Sequence, residues 1–295
     1  MNFLPFMHRF IRHLLLLLIA GPLLQGCSAV RLGYGNADSL ARWWLDQYLD
    51  MSPEQDALAR ERLARLLAWH RKTQLPDYLA VLRQGEKFVT GQPTVADALA
   101  LGDGIIRRIR TLADQATPDV ADLLATVTPA QTEHMAGRMA EKNADYAKEA
   151  QLAEGETGQR QARYKRLLEQ AEYWFDDFSG EQQTALRRLI DGQATGSQFW
   201  YEERLRRQRQ WLDLVRLVQR DRPPRERTIQ LLRDYAARFD LPADPARQGQ
   251  ALALRRASAE LAVAIHAMTT PAQRAHAEHK IGELVRDITE LSQEI

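Results

Sequence analysis

Two groups of side chains in this sequence are of types that could support catalysis, but their spacing does not. His276 and His279 could supply two ligands to zinc, whereas a structural zinc site needs four ligands and a catalytic site three. Asp176 and Asp177 form a carboxylate pair, yet adjacent residues of a helix point to different faces. We therefore expect solvated histidines and a helix end before Ser179, with no metal and no cofactor.

The sequence also lacks the motifs of a catalytic nucleophile and of a phosphate-binding loop. The sequence has no GxSxG elbow and no HExxH pattern. Gly102 and Gly104 fall inside a helical pattern over 97–113, whereas a phosphate-binding loop requires a strand, a loop and a helix in succession. The sequence therefore favours a protein that binds over one that catalyses.

The stretch 200–211 combines arginines with aromatic residues, which can stack on bases or contact lipid head groups. Glu202 and Glu203 precede Arg206 and Arg207 by four residues, a spacing typical of a solvated helix face, and this is the interpretation we favour. The alternative is contact with a partner or a head group. The candidate residues for that contact are Trp200, Arg204, Arg207 and Trp211.

A second aromatic group lies near the N-terminus, where Trp43 and Trp44 precede Tyr48 on a helix expected over 38–50. Core packing is the commoner position of a tryptophan pair, so we expect these side chains inside the protein. The alternative is that they rest against a membrane interface, where tryptophan and tyrosine are enriched.

Composition excludes several classes of protein. Hydrophobic residues make up 45% of the 295 residues and charged residues 27%, with a single cysteine. These values exclude a disordered chain, a collagen-like chain and a disulfide scaffold. The 40 basic and 39 acidic residues give no overall basic field, which argues against nucleic acid as a partner.

The N-terminus has the features of an export signal. Arg9 and Arg12 precede an apolar run over 14–19 that is too short to span a bilayer. Leu24-Gln25-Gly26-Cys27 resembles the bacterial lipobox, in which the cysteine is lipidated and becomes the first residue. We predict a signal peptide over 1–26 and a lipidated tether over 27–36. Ser28 after the cysteine favours sorting to the outer membrane, facing the periplasm.

The rest of the chain is predicted to be helical. Apolar residues recur at the 3.6-residue period from Ala37 onward, and no stretch alternates as a strand does. Four helix starts share a Ser or Thr followed three residues later by Gln, which predicts capping boxes. These pairs are Ser52/Gln55, Thr128/Gln131, Ser179/Gln182 and Thr270/Gln273.

We expect an all-α bundle of nine to eleven helices. Thr117-Pro118 predicts a further helix start, and breaks are expected at 85–93, 154–158, 220–224 and 241–245. The uneven spacing of the four capped starts excludes a strict solenoid. One helical domain over 37–295 with two lobes, 37–153 and 159–295, is the favoured arrangement, and two separate bundles are the alternative.

The chain resembles an uncharacterised family of Gram-negative lipoproteins, a domain of unknown function. The resemblance rests on the segments Leu32-Gly33-Tyr34-Gly35-Asn36-Ala37-Asp38, Trp43-Trp44, Asp46-Gln47-Tyr48, Trp69-His70-Arg71, Leu75-Pro76, Tyr164 with Arg166, Tyr173-Trp174-Phe175, Phe178-Ser179, and Arg204 with Arg207-Gln208. It implies an exported, lipid-anchored, all-helical protein and supplies no catalytic residues.

The repeated Ser/Thr-x-x-Gln is also similar to the LTxxQ motif of the Spy-like periplasmic chaperones, although the residue before the cap is never leucine here. Capping boxes alone give the same letters, so convergence is favoured over kinship.

These observations predict an outer-membrane-anchored lipoprotein that acts by binding an envelope protein or an unfolded client. The alternatives are an envelope enzyme or its accessory in cell-wall or lipid metabolism, and a structural spacer. An inward-facing His70 beside an acidic residue would favour the enzyme.

Overall fold

The computed structural model describes residues 29–293, and throughout this range the regular elements are helices. The α-helices, numbered α1 to α12 in chain order, are Ala29–Gly35, Ala37–Leu49, Pro53–Trp69, Leu75–Thr90, Val95–Leu124, Pro129–Glu149, Gly155–Phe175, Gly180–Asp191, Ser197–Asp221, Arg225–Ala236, Pro245–Ala267 and Pro271–Gln293. Two short elements interrupt this order, a π-helix at His70–Gln74 and a 3-10 helix at Leu152–Glu154.

The all-α prediction is confirmed for the described part of the chain. Eleven of these α-helices follow Asn36, which agrees with the expected nine to eleven. The first, α1, lies within the predicted tether 27–36 and packs against α12, where Arg31 pairs with Asp287 and Glu290. Cys27 and the predicted signal peptide lie outside the described residues.

All four predicted capping boxes form. At each one the glutamine side chain accepts a hydrogen bond from the backbone N–H of the cap residue, at 2.9 to 3.0 Å. The cap hydroxyl in turn accepts from the glutamine backbone N–H at 3.2 to 3.3 Å. The local sequence therefore determines where these helices begin.

The boxes also join in pairs across the fold. Gln55 and Gln131 donate to one another's side-chain oxygens at 3.1 and 2.6 Å. Gln182 and Gln273 do the same at 2.8 and 3.3 Å.

Each glutamine amide also donates to the carbonyl two residues before its partner's cap. The acceptors are the carbonyls of Thr126, Asp50, Met268 and Asp177, for Gln55, Gln131, Gln182 and Gln273 respectively. The first box is thus paired with the second, and the third with the fourth. We call these two arrangements the first and second glutamine pairs.

The prediction of a helix start at Thr117-Pro118 is wrong. Helix α5 runs through both residues, and the Thr117 hydroxyl donates to the carbonyl of Ala113 at 2.7 Å instead of capping a new helix. Ala121 and Leu124 beyond the proline are buried in a core cluster. The free energy gained by packing this apolar face offsets the loss of the backbone hydrogen bond that proline cannot donate.

A break lies at or beside each expected one, but the limits differ, and residues 155–158 form the first turn of α7 instead of a break. The first begins at Gly91, because α4 continues through Gly85 to Thr90. The others fall at 150–154, 222–224 and 237–244.

Pro76 explains the π-helix between α3 and α4. Proline cannot donate to the carbonyl four residues earlier, and its ring crowds that carbonyl. The chain opens by one residue, so that the backbone N–H of Leu75 bonds to the carbonyl of His70. The helical path therefore continues from α3 to α4.

Three apolar clusters hold the bundle together. The first joins α2, α5 and α6 to α9 and α10 around Val215, and the second joins α4 to α7 and α12 around Phe175. The third joins α7, α8 and α11 around Leu186. The first two clusters combine residues from both sides of Gly155, so residues 37–153 and 159–293 share their cores. None of the described helices is long and apolar enough to cross a membrane.

Candidate functional site

Three of the four candidate residues for contact with a partner or head group donate hydrogen bonds within the protein. Arg204 donates to Asn143 Oδ1 at 2.6 Å, and Arg207 donates to the Phe239 carbonyl at 2.7 Å. Trp211 Nε1 donates to the sulfur of Met135 at 3.1 Å. Burial lowers the pKa of Arg207, as expected for a guanidinium held within the protein. Trp200 differs, because it lines a pocket.

The predicted solvated face is wrong at Glu203. This side chain is 1% exposed and is bound by Arg206 at 2.7 Å and by Arg247 of α11 at 2.5 Å. Burial alone would raise the pKa of Glu203, but the hydrogen bonds from the two arginines outweigh burial and leave the pKa below its ordinary value. The acid–base spacing marks an ion cluster that joins α9 to α11.

The pocket beside Trp200 has a volume of about 510 Å³ and lies between α4, α5, α7, α9 and α11. Its walls include Trp174, Leu167 and Leu254. Six alanines also line it, and their small side chains leave the space open: Ala98, Ala171, Ala194, Ala257, Ala259 and Ala262. This volume lies within the range of pockets that hold small ligands.

Gly196 fixes one wall of this pocket. A Cβ atom at this position would lie 3.1 and 3.2 Å from the two methyl groups of Leu254 and 3.4 Å from the Trp200 ring. A side chain at this position would require Leu254 to move by a few tenths of an ångström, so glycine lets the start of α9 approach α11 without such a shift. The segment between α8 and α9 thus allows α9 to lie close to α11, and its residues Ala194 and Gly196 form part of the pocket lining.

The pocket is positively charged. Arg163, Arg166 and Arg255 line it, and its lining contains no aspartate or glutamate. Arg163 donates to Gln193 Oε1 at 2.7 Å and Arg255 pairs with Asp103, whereas Arg166 makes no hydrogen bond or ion pair with any described residue. Burial, together with the nearby Arg166 cation, lowers the pKa of Arg163.

His70 does not face an acidic residue. Its Nδ1 lies 3.0 Å from the Tyr34 hydroxyl and its Nε2 lies 2.8 Å from the Tyr78 hydroxyl. Burial lowers the pKa of His70, so the ring is neutral at pH 7. A neutral imidazole between two phenols fixes α1 to the π-helix and α4, and it does not provide the acid–base pair that would have favoured an enzyme.

The other residues with possible chemistry are dispersed. His279 lies 3.4 Å from Glu283 on an exposed face. Asp176 is the C-cap residue of α7, as the sequence predicts, with a φ of 65° and a ψ of −178°. Among residues 29–293, no cluster of three or more His, Cys, Asp or Glu side chains could hold a metal ion.

The expectation that Trp43 and Trp44 pack in the core is wrong. Trp43 is 57% exposed and Trp44 37% exposed, while Tyr48 packs against the first cluster. Helix α2 is held in place by its buried Leu49 and by the ion pair of Arg42 with Asp56. Two large aromatic side chains are therefore presented to solvent on a firmly packed helix.

The sequence indicated only part of the pocket. Trp200 is a sequence candidate for contact, and Arg166 and Trp174 belong to the segments that carry the family resemblance, but no sequence motif indicates Arg163, Gly196 or Leu254. The glycines at 192 and 196 were the available signal, since they interrupt the helical pattern.

The described residues thus form an all-α helical bundle with a pocket lined by three arginines. The chain matches the family of unknown function DUF6279 over residues 47–239 and belongs to that family. Neither a curated protein nor a solved structure matches the chain. The family supplies no activity and no residue roles.

Proposed function

We propose that this protein is an outer-membrane-anchored lipoprotein that faces the periplasm and binds another envelope protein, either a folded partner or an unfolded client, without catalysing a reaction. The observation that carries the proposal is the exposed pair Trp43 and Trp44. Exposed tryptophans are frequent anchors of protein interfaces, and they bind best when the element that carries them is already ordered.

The surroundings of the pair support a protein partner over a lipid surface. Helix α2 carries Asp38, Asp46 and Asp50 within or directly after its span, and its one basic residue, Arg42, is already paired with Asp56. A surface of this charge is repelled by anionic lipids. The lipid on Cys27 would still hold the protein at the membrane, since buried acyl chains anchor strongly.

The test replaces both tryptophans, Trp43→Ser and Trp44→Ser, and measures the aggregation of a chemically unfolded client by light scattering. We expect the chain with Cys27→Ser to suppress aggregation at near-equimolar ratio and the double variant to lose most of this suppression. Ile105→Ser is the matched control, because Ile105 is an exposed apolar residue on a different helix.

A photo-crosslinking amino acid at position 43 in cells separates the two kinds of partner. A defined protein adduct without chaperone activity indicates a folded partner, and suppressed aggregation indicates a client. Crosslinks to lipid alone would replace the proposal by membrane contact. The absence of both suppression and a protein adduct would refute the proposal.

The pocket beside Trp200 favours a second candidate function, an accessory role in envelope lipid metabolism. Its walls are largely apolar, and its lining includes three arginines.

A further inference from the structure

The pocket between α7 and α11 lies apart from the tryptophan pair and combines two chemical features. Trp174 and Trp200 supply flat apolar surfaces, and Leu99, Leu167 and Leu254 supply aliphatic ones. A space of this size with aromatic and aliphatic walls suits a hydrocarbon chain. Such a chain gains affinity roughly in proportion to the apolar surface that it buries.

The second feature is charge. Arg163 and Arg166 lie one helical turn apart on α7 and both line the pocket. Arg163 is bound to Gln193, but Arg166 has no hydrogen-bond or ion-pair partner in the described part of the chain. Because no carboxylate lines the pocket, an anionic group is the complement that these arginines lack.

We propose that this pocket binds a single-chain amphiphile with an anionic head group, its hydrocarbon chain between Trp174 and Trp200 and its head group on Arg166. A fatty acid and an anionic lysophospholipid share this chemistry. Both are products of enzymes that cleave acyl chains from membrane lipids, so the class of reaction that supplies the ligand is phospholipid ester hydrolysis.

One glycine in the lining, Gly102, allows the pocket to be filled without changing its charge. A Cβ atom at Gly102, in the wall formed by α5, would meet no atom within 4 Å. Gly102→Leu therefore adds volume beside the pocket with a residue that favours helix. Gly137→Leu is the matched control, because Gly137 is an exposed helical glycine that also has nothing within 4 Å.

The experiment titrates the chain carrying Cys27→Ser with dibrominated stearate below its micellar concentration and follows quenching of tryptophan fluorescence. We expect saturable quenching, because two of the six tryptophans line the pocket. Each methylene removed from the hydrocarbon chain of the fatty acid should weaken its binding about fourfold. Trp200→Phe should reduce the quenching amplitude, whereas Trp43→Ser should not change the Kd.

Substitutions then locate the head group and the chain. Arg166→Gln should weaken stearate binding about tenfold or more, whereas Arg209→Gln, which removes an exposed arginine of α9, should leave the Kd unchanged. Gly102→Leu should abolish binding and Gly137→Leu should preserve it. Unchanged binding in Gly102→Leu or in Arg166→Gln would overturn the proposal.

Competing ligands identify the source. Displacement of the probe by stearate alone assigns a free fatty acid, and displacement by lysophosphatidylglycerol alone assigns a lysophospholipid. Displacement by both supports the shared chemistry. Displacement by neither, or equal displacement by stearyl alcohol, which has no charge, would overturn it.

Discussion

The two glutamine pairs have the same hydrogen-bond pattern, yet the chain that follows each pair differs. In the first pair, the Ser52/Gln55 box starts α3, which passes through the π-helix into α4. His70 fills this junction, between Tyr34 and Tyr78. In the second pair, the Ser179/Gln182 box starts α8, which ends at Asp191. A non-helical segment that contains Gly192 and Gly196 then leads to α9. The first junction is closed by side chains, and the second opens a pocket.

This difference teaches that the caps determine helix starts but not what the helices enclose. Pro76 widens one turn without ending the helix, because apolar residues on both sides stay packed. Two glycines within five residues remove side chains that would continue the packing. A repeated framework can therefore carry a structural junction at one place and a ligand pocket at the other.

The largest expected effect concerns the glutamine pairs. Gln55→Ala and Gln273→Ala remove the more buried member of each pair. Each leaves a backbone carbonyl and a cap N–H without the glutamine that bound them, and takes one of the two hydrogen bonds from the partner amide. We expect each to lower the free energy of unfolding in urea by about 2–3 kcal/mol. Gln210→Ala, at an exposed glutamine, should change it by less than about 0.5 kcal/mol.

A double-mutant cycle within each pair sharpens this comparison. The coupling of Gln55 with Gln131, and of Gln182 with Gln273, should be about 1–2 kcal/mol. A large coupling in one pair and none in the other would show that the two pairs are not energetically equivalent.

The next effect is a pH dependence confined to the first junction. Because burial holds the pKa of His70 below 6.5 in the folded state, the unfolded chain binds this proton first. Stability should therefore be unaffected by this group above about pH 6.5 and fall as the pH decreases below it, by at most about 1.4 kcal/mol per pH unit.

His70→Phe should remove this slope, and His279→Gln, at an exposed histidine, should keep it. Unfolding midpoints in urea between pH 7 and 5 provide the measurement. The paired carboxyls of Asp56 and Glu203, whose pKa values are lowered, contribute only at more acidic pH. An identical slope in His70→Phe and in the unmodified chain would contradict the assignment.

The cap hydroxyls give a smaller effect that should be equal in both regions. Ser52→Ala and Ser179→Ala each remove one bond to the N3 backbone N–H and should cost about 1 kcal/mol in thermal or urea unfolding. Ser39→Ala, within α2 and exposed, is the control and should have no such cost. Unequal losses at the two caps would show that the following chain influences the start.

The smallest effect is expected in the pocket. Arg166→Gln removes a cation that has no partner among the described residues, so the free energy of unfolding should stay within about 0.5 kcal/mol of the unmodified value. Far-UV circular dichroism and urea unfolding check this. A loss comparable to that of Gln55→Ala would assign Arg166 a structural role and separate the pocket from ligand binding.

The sequence by itself determined the all-α class and the four capped helix starts. A capping box joins residues only three apart, so its letters contain the whole interaction. The sequence also determined the helix end at Asp176 and the break after Asp221. It failed at Thr117-Pro118, because a proline inside a well-packed helix has the same local signature as one at its start.

Only the tertiary structure decided which boxes pair, which charges are buried and which aromatics are exposed. Gln55 meets Gln131, and Glu203 meets Arg247, through contacts between distant parts of the chain. Trp43 faces solvent although its residue type favours the interior. The pocket likewise needs five helices to converge. Local patterns report neighbours in sequence, whereas burial and binding depend on neighbours in space.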